Sequence, residues 1–210
     1  MAPSQPAVVL VHGIWMPGAE MSLLGRRLRH CGFRPYPFHY PSVRCDLRHN
    51  ARRLQVFVQK IETPEVHFVA HSLGGLLVRQ FFHDFPHQRP GRVVTLGTPH
   101  AGSAVARRMG RNPFGQALLG KSLKHGLRGD VPAWEGWRRE LGVIAGDVSL
   151  GVGRLLGGLS GPNDGAVSVA ETRLPGMTDY RLFHLNHVGL LFSREVARAV
   201  CQFLHHGRFD

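Results

Sequence analysis

Residues 66–75 constrain the fold more than any other part of the chain. Their first half reads as a buried strand, and residues 73–85 carry apolar side chains at helical spacing. Between the two lies Ser72, with Ala70 two positions before it and Gly74 two positions after it. Small residues at these positions allow a strand and a helix to approach closely. The segment therefore predicts a buried strand that turns sharply into a helix and exposes a serine at the turn.

Strands and helices alternate along most of the remaining chain. Further strands are predicted at residues 7–11, 33–40, 92–96, 141–145 and 180–185, and helices at 20–31, 47–61 and 190–204. The prolines within 33–40 favour an edge strand. Alternation of this kind predicts an α/β fold, a mostly parallel sheet with helices on both faces. At 210 residues the chain is most simply one domain, residues 1–210.

Composition narrows the class of protein without identifying a function. The net charge of +12 comes mainly from arginines scattered along the chain, which indicates a solvated basic surface rather than a nucleic-acid interface. No apolar run approaches the ~20 residues that span a bilayer, and the first residues lack signal-peptide features, so we expect a cytoplasmic protein. Cys31, Cys45 and Cys201 show no motif spacing and are expected to be reduced structural thiols.

A serine becomes a strong nucleophile only beside a base and a site that accepts negative charge. In an open parallel sheet, such groups collect at the carboxyl ends of the strands. The first strand ends at His12-Gly13, where a glycine lets the backbone turn. The N–H groups of Ile14 and Leu73 can then form an oxyanion hole, unless this segment is only a turn.

The base and the acid are expected late in the chain, in the order serine, acid, histidine. His187 lies in the loop after the last predicted strand, whereas His184 lies within that strand, so we favour His187 as the base. Asp164 lies in a turn that can hold a carboxylate against an imidazole, and Asp147, directly after its strand, is the alternative acid. The acid would fix the tautomer of the histidine and stabilise its protonated form.

Five segments in this order resemble an α/β-hydrolase of the bacterial lipase and esterase type. They are residues 9–13, 69–75, 96–103, 163–167 and 186–187, and they extend from the first strand to the last helix. The resemblance implies an α/β-hydrolase fold with Ser72 as nucleophile, Asp164 as orienting acid, His187 as base, and Ile14 and Leu73 as oxyanion-hole donors. Some related lipases hold a structural calcium near the histidine. Because Val188 follows the histidine here, we expect neither a metal nor another cofactor.

The resemblance implies a serine hydrolase that cleaves carboxylic esters through an acyl-enzyme. An acyltransferase or a thioesterase would use the same residues, and a hydrolase-fold protein that binds without turnover is a further alternative. The expected partner is a small-molecule or lipid ester, not a nucleic acid, and no oligomeric state follows from the sequence.

Two segments need a separate interpretation. Residues 115–122 match the phosphate-binding pattern G-x-x-x-x-G-K-[ST], but no core strand precedes them, so we interpret the match as chance. Residues 101–139 form the longest departure from strand–helix alternation and predict a cap or lid that lines an acyl pocket. Its apolar residues are Phe114, Leu118, Leu119, Leu123, Leu127, Trp134 and Trp137. Because basic residues lie among them, we expect weak contact with an anionic membrane surface, with a cap packed on the core as the alternative.

Overall fold

A six-stranded parallel sheet forms the framework of the computed structural model, which describes residues 5–134, 139–150 and 159–209. The strands are β1 (Ala7–Val11), β2 (Arg34–Phe38), β3 (Val66–His71), β4 (Val93–Leu96), β5 (Leu141–Gly146) and β6 (Asp179–Phe183). Their order is β2-β1-β3-β4-β5-β6, and each neighbouring pair is parallel. All six carboxyl ends therefore lie at one edge of the sheet, and the predicted α/β fold class is confirmed.

Strand β2 lies at the edge of the sheet, as its prolines predict. The Arg34 N–H donates to the carbonyl of Pro6, so Arg34 and every second residue after it bond toward β1. Pro35 and Pro37 consequently fall where an N–H would point away from the sheet. Because proline has no N–H, this open edge offers few donors to another strand.

Each central strand contributes side chains to two separate apolar cores. In β1, Ala7, Val9 and Val11 belong to one core, and Val8 and Leu10 belong to the other. Successive side chains of a strand point to opposite faces, so a continuously apolar strand fits a sheet that is covered on both sides. The run of buried valines and leucines in β1 is therefore a consequence of two-sided burial.

Helices cover both faces, as expected from the alternation. Helices α2 (Leu47–Gln59) and α3 (Leu73–Asp84) pack on one face, and α1 (Ser22–His30), α6 (Gly189–Phe192) and α7 (Arg194–His206) pack on the other. The helix predicted at 190–204 is divided, because the Ser193 hydroxyl accepts from the N–H groups of Glu195 and Val196 and starts a new helix. The helix predicted at 20–31 begins with a 3₁₀ turn, Ala19–Met21.

The predicted cap region contains α4 (Ala104–Met109), α5 (Pro113–Leu119) and a π-helical turn, Leu123–Leu127. Its apolar residues divide into two groups: Leu119, Leu123, Leu127 and Trp134 are buried, whereas Phe114 and Leu118 are exposed. Trp137, named with them above, lies outside the described residues. Most of the phosphate-binding match lies in α5, which follows α4 rather than a strand. That arrangement does not form a phosphate-binding loop.

The expectation of reduced cysteines is wrong for two of the three. Cys31, after α1, and Cys201, in α7, form a disulfide with 6.2 Å between their Cα atoms, and Cys45 is free. The two partners are 170 residues apart, so no local spacing indicates the pairing. Disulfides persist mainly in oxidising compartments, and this bond therefore weighs against the cytoplasmic location expected from the sequence. None of the described helices has both the length and the apolar character needed to cross a bilayer.

Candidate active site

Ser72 occupies a strained turn between β3 and α3. Its backbone has φ 53° and ψ −123°, and only one other non-glycine residue in the described chain, Trp15, has a positive φ. A side chain at Gly74 would lie 2.5 Å from the Val11 carbonyl oxygen, so α3 and the end of the neighbouring strand β1 meet too closely for any residue but glycine. The Ser72 N–H donates to the Leu96 carbonyl at 2.9 Å, which ties the turn to β4. The structure thus contains the sharp strand-to-helix turn that the sequence predicts.

Asp164 and His187 form a short hydrogen bond at the carboxyl edge of the sheet. Nδ1 of His187 lies 2.6 Å from Oδ2 of Asp164, and the Asp164 side chain is 1% exposed. The other carboxylate oxygen accepts from the N–H groups of Ala166 and Val167, at 2.9 and 2.8 Å. Two backbone donors stabilise a buried carboxylate in its charged form. An ionised Asp164 keeps the proton on Nδ1 of His187 and leaves Nε2 free to accept one.

The backbone also holds this pair together. The His187 N–H donates to the Asp164 carbonyl at 2.8 Å, so the two residues are joined through both their side chains and their main chains. Gly97, after β4, lies beneath them with φ +56°. A Cβ at Gly97 would be 2.9 Å from Nδ1 of His187 and 3.0 Å from Oδ2 of Asp164. The glycine therefore provides the space in which the imidazole and the carboxylate meet.

The alternative acid and the alternative base are paired with each other elsewhere. Nδ1 of His184 lies 2.9 Å from Oδ1 of Asp147, and the His184 side chain is 87% exposed. Neither residue lines the cavity beside Ser72. An exposed ion pair of this kind contributes little and activates nothing nearby. The structure thus brings together Asp164 with His187 and separates both from Asp147 and His184.

A cavity of about 240 Å³ opens beside the serine, and both Ser72 and His187 line it. Its described walls are almost entirely apolar. They are formed by the loop after β1, the cap region and the loops after β5 and β6. The lining side chains include Ile14, Met16, Val105, Ala106, Met109, Leu119, Leu127, Leu150, Val167 and Val188. Such a surface favours a hydrocarbon group over a charged one.

One of the two predicted amide donors lines this cavity, and the other belongs to the residue directly after Ser72. Leu73 is the first residue of α3, so its N–H lies at the positive end of a 12-residue helix. Ile14 lines the cavity beside Gly13, on the loop after β1. The Ile14 amide has no protein acceptor within the described part of the chain. The first N–H groups of a helix, such as that of Leu73 in α3, have no partner within the helix. An oxyanion hole needs amides of this kind beside the nucleophile.

Sequence reasoning assigned no role to His71, although it precedes the serine. Its Nε2 lies 3.1 Å from the His187 carbonyl oxygen, and the two imidazole rings are 4.6 Å apart. Burial lowers the pKa of His71 well below its usual value, and the nearby His187 lowers it further. A neutral His71 thus connects the serine-bearing strand to the loop that carries His187. The position of His71 directly before Ser72 is the one sequence signal for such a role. Its contact with His187 spans 116 residues and is therefore not visible in any local pattern.

Buried Arg79 is a second unpredicted feature. Its guanidinium donates to the carbonyls of His100 and Pro132 at 2.7 Å and to that of Val131 at 3.2 Å. Burial lowers the pKa of Arg79 to about 10. The arginine fixes the loop after β4 and the end of the cap region onto α3.

No group of three or more His, Cys, Asp or Glu side chains among the described residues is placed to hold a metal ion.

Comparisons with known proteins place this geometry in context. A family model described as "Alpha/beta hydrolase family" matches residues 8–206. The mature form of the Bacillus licheniformis lipase BlEst2 superposes with a TM-score of 0.76 at 19% identity, covering 98% of this chain and 93% of that one. The metagenomic carboxyl esterase MGS0156 gives 0.66 at 17%, covering 89% and 66%. The NocB thioesterase domain from the Nocardicin cluster gives 0.63 at 16%, covering 97% and 95%. No curated protein sequence matched. These structures share the fold of this chain.

Proposed function

We propose that this chain, which belongs to the alpha/beta hydrolase family, is a serine hydrolase that cleaves carboxylic esters with an apolar acyl group. One observation carries the proposal: the strained Ser72 and His187, whose imidazole is hydrogen-bonded to the buried Asp164, line the same apolar cavity. A serine, a histidine and an acid held in this way form the machinery of acyl transfer.

The reaction follows from the positions of these groups. Ser72 Oγ attacks the ester carbonyl carbon while its proton passes to Nε2 of His187, and the carbonyl oxygen becomes an oxyanion that the Ile14 and Leu73 amides stabilise. The bond to the alcohol oxygen then breaks as His187 returns the proton to that oxygen. Water attacks the resulting acyl-serine by the same sequence, releasing the carboxylic acid and the free serine. Asp164 stabilises the positive imidazole in both halves.

The lining of the cavity supports an apolar acyl chain. Apart from Ser72 and His187, its polar side chains are His71 and Ser103. Burial keeps His71 neutral by lowering its pKa. A charged substituent would therefore find no counter-charge among the described lining residues, whereas a hydrocarbon gains free energy by leaving water.

A thioesterase or an acyltransferase is the second candidate, because the acyl-serine is common to all three reactions. The fold shared with the NocB thioesterase domain is the observation that favours testing it. Oxygen esters and thioesters with the same acyl group separate a thioesterase from an esterase, and partitioning of the acyl group between water and an added alcohol identifies an acyltransferase. A preference for oxygen esters with water as acceptor supports the esterase.

Labelling with a fluorophosphonate tests the proposal directly. We expect the wild-type protein to be labelled at Ser72 and to hydrolyse p-nitrophenyl esters, and the Ser72→Ala variant to do neither. His187→Ala should lose hydrolysis by several orders of magnitude, whereas the matched exchange His184→Ala should leave it intact. A folded wild-type protein that resists labelling and shows no turnover would disprove the enzyme.

A further inference from the structure

The Gly13–Ile14 peptide carries one of the two amide donors of the oxyanion hole. We propose that His12 is a positioning residue for this peptide: its Nδ1–H donates to the Gly13 carbonyl and so directs the Ile14 N–H toward Ser72. The proposal rests on the function proposed above and explains how one part of that site is kept ready. His12 touches neither the substrate nor the reacting atoms, and it acts through the peptide next to it.

The hydrogen bonds of His12 determine which ring nitrogen carries the proton. The backbone N–H of Tyr40 donates to Nε2 of His12 at 3.3 Å, so Nε2 must be an acceptor. Nδ1 lies 2.8 Å from the Gly13 carbonyl oxygen, which can only accept, so Nδ1 must be the donor. The neutral Nδ1–H tautomer satisfies both contacts, and no other protonation state does. Burial lowers the pKa of His12, which agrees with a neutral ring, although the hydrogen bond to Gly13 and, to a smaller extent, Glu20 oppose this shift.

The ring of His12 has little freedom to leave this position. It is 1% exposed and stacks on the ring of Tyr40 with 4.3 Å between the centroids. The Tyr40 hydroxyl donates to the His12 carbonyl at 2.8 Å, so the tyrosine contacts the same residue at three places. Tyr40 follows the edge strand β2, and these contacts therefore fasten the loop after β1 to the end of the neighbouring strand.

Peptide geometry transmits this constraint to the site. In a trans peptide the C=O and the N–H point in opposite directions, so a fixed Gly13 carbonyl also fixes the Ile14 N–H. Glycine at position 13 avoids close contacts, because a Cβ there would lie 3.2 Å from the Ser72 Cβ and 3.1 Å from Nδ1 of His71. Glycine also leaves the neighbouring peptide free to rotate.

Rotation of the Gly13–Ile14 peptide would weaken stabilisation of the oxyanion in two ways. Turning it over would remove the Ile14 donor and present the Gly13 carbonyl oxygen to the developing oxyanion. The hydrogen bond from His12 opposes this rotation before substrate arrives. Removal of one oxyanion-hole donor costs about 10²–10³-fold in kcat, which sets the upper limit for loss of the His12 hydrogen bond.

Three exchanges of His12 separate this role from simple packing. His12→Leu keeps the bulk and removes both nitrogen atoms. His12→Asn places an amide N–H where Nδ1 is, and His12→Gln places polar atoms nearer to Nε2. We expect the Leu and Gln variants to lose at least about tenfold in kcat with KM changed less than threefold, and the Asn variant to recover most of the loss. His30→Leu, the same exchange at an exposed site on α1, is the control.

Inhibitor affinities and NMR give two further readouts. An alkyl trifluoromethyl ketone forms an oxyanion on attack by Ser72, so its affinity should fall by the same factor as kcat, whereas a simple alcohol of equal chain length should bind unchanged. Nitrogen-15 shifts of the His12 ring should show the proton on Nδ1.

Each result is read after active-site titration with the fluorophosphonate, which corrects for unfolded protein. Equal kcat in the Asn and Gln variants, a proton on Nε2, or kcat of His12→Leu within twofold of wild type overturns the positioning role. If the Leu variant does not fold, the Asn and Gln pair decides alone. None of these outcomes affects the proposed hydrolase, which fails only if the wild-type protein neither labels nor turns over ester.

Discussion

The carboxylate of Asp164 and the imidazole of His187 are joined twice, by a 2.6 Å contact between side chains and by a 2.8 Å hydrogen bond between main chains. The main-chain hydrogen bond fixes the two loops relative to each other. The side-chain contact therefore needs no rearrangement when the imidazole becomes charged. Preorganisation of this kind lowers the free energy of the transition state without cost during the reaction. Because the main-chain hydrogen bond does not depend on the side chain of Asp164, that side chain can be exchanged while the two loops stay in place.

Asp164→Asn should therefore reduce kcat strongly while the protein stays folded. The amide nitrogen can take the place of Oδ2 and donate to Nδ1 of His187, which moves the imidazole proton to Nε2 and prevents it from acting as a base. We expect a loss of about 10³–10⁴-fold in kcat, measured with a p-nitrophenyl ester. The matched exchange Asp147→Asn should change kcat less than twofold. Equal losses of kcat in the two variants would show that Asp164 is not the orienting acid.

Gly97→Ala should damage catalysis more than stability. The new Cβ would lie within 3.0 Å of both the Asp164 carboxylate and the His187 ring, and the positive φ adds strain of about 1–2 kcal/mol. We expect kcat to fall at least about tenfold, because a small misplacement of catalytic groups is costly. Gly32→Ala is the control, since Gly32 has φ +89° but no neighbour within 4 Å of the added methyl group. The two variants should have similar Tm values and differ in kcat.

The contrast between Ser72 and His12 shows which features the sequence could predict. The strand–serine–helix turn, the parallel sheet and the edge position of β2 depend on local patterns, and all are found in the structure. The contact of His12 with Tyr40 and the pairing of Cys31 with Cys201 join residues 28 and 170 positions apart. Such contacts are set by the sheet order, which no local period encodes.

The cap region illustrates the same limit. Its apolar residues look alike in the sequence, yet Leu119 is 2% exposed and Phe114 is 80% exposed. Short helices of six and seven residues present too few turns for a reliable periodicity. The packing of α4 against α5 and against the π-helical turn, which itself packs on α3, decides which side chains are covered.

Reduction of the Cys31–Cys201 disulfide should destabilise the fold. Cross-linking residues so far apart restricts the unfolded chain, and its loss is expected to lower the free energy of unfolding by about 2–5 kcal/mol. Urea denaturation with and without reductant measures this change. Cys31→Ser should reproduce it, and Cys45→Ser should not. Alkylation of all three cysteines in the native, unreduced protein would contradict the disulfide.

Ala106→Leu should shift the preference of the enzyme toward shorter acyl chains. Ala106 is buried in α4 and lines the cavity, so a larger side chain takes volume from the acyl group. We expect the ratio of kcat/KM for octanoate to that for butyrate to fall by about tenfold or more, since each methylene is worth about 1–3 kcal/mol. Ala170→Leu, at an exposed alanine outside the cavity, should leave the ratio unchanged. An unchanged ratio in the Ala106→Leu variant would show that the acyl group does not bind in this cavity.

Exposed apolar side chains on α5 form a surface that is linked to the loop after β1. Phe114 and Leu118 lie on α5, and the Trp15 indole N–H donates to the Leu118 carbonyl at 2.9 Å, which links this surface to the loop of the oxyanion hole. Arg108 and Arg111 are exposed close by in the chain. We propose weak binding to anionic membranes through this surface, since aromatic and basic side chains act together at lipid headgroups.

Vesicle co-sedimentation tests this proposal with the intact protein. Phe114→Ser should reduce binding to phosphatidylglycerol vesicles at low salt by roughly thirtyfold, because burial of an aromatic side chain contributes about 2 kcal/mol. Leu182→Ser, at an exposed leucine on the edge strand β6, is the matched control and should bind as the wild type does. Binding should also fall with added salt and be weaker to neutral phosphatidylcholine, since exposed charges are screened. If the wild-type protein stays in solution with phosphatidylglycerol at low salt, the membrane contact is wrong, and the esterase activity toward soluble substrates is unaffected.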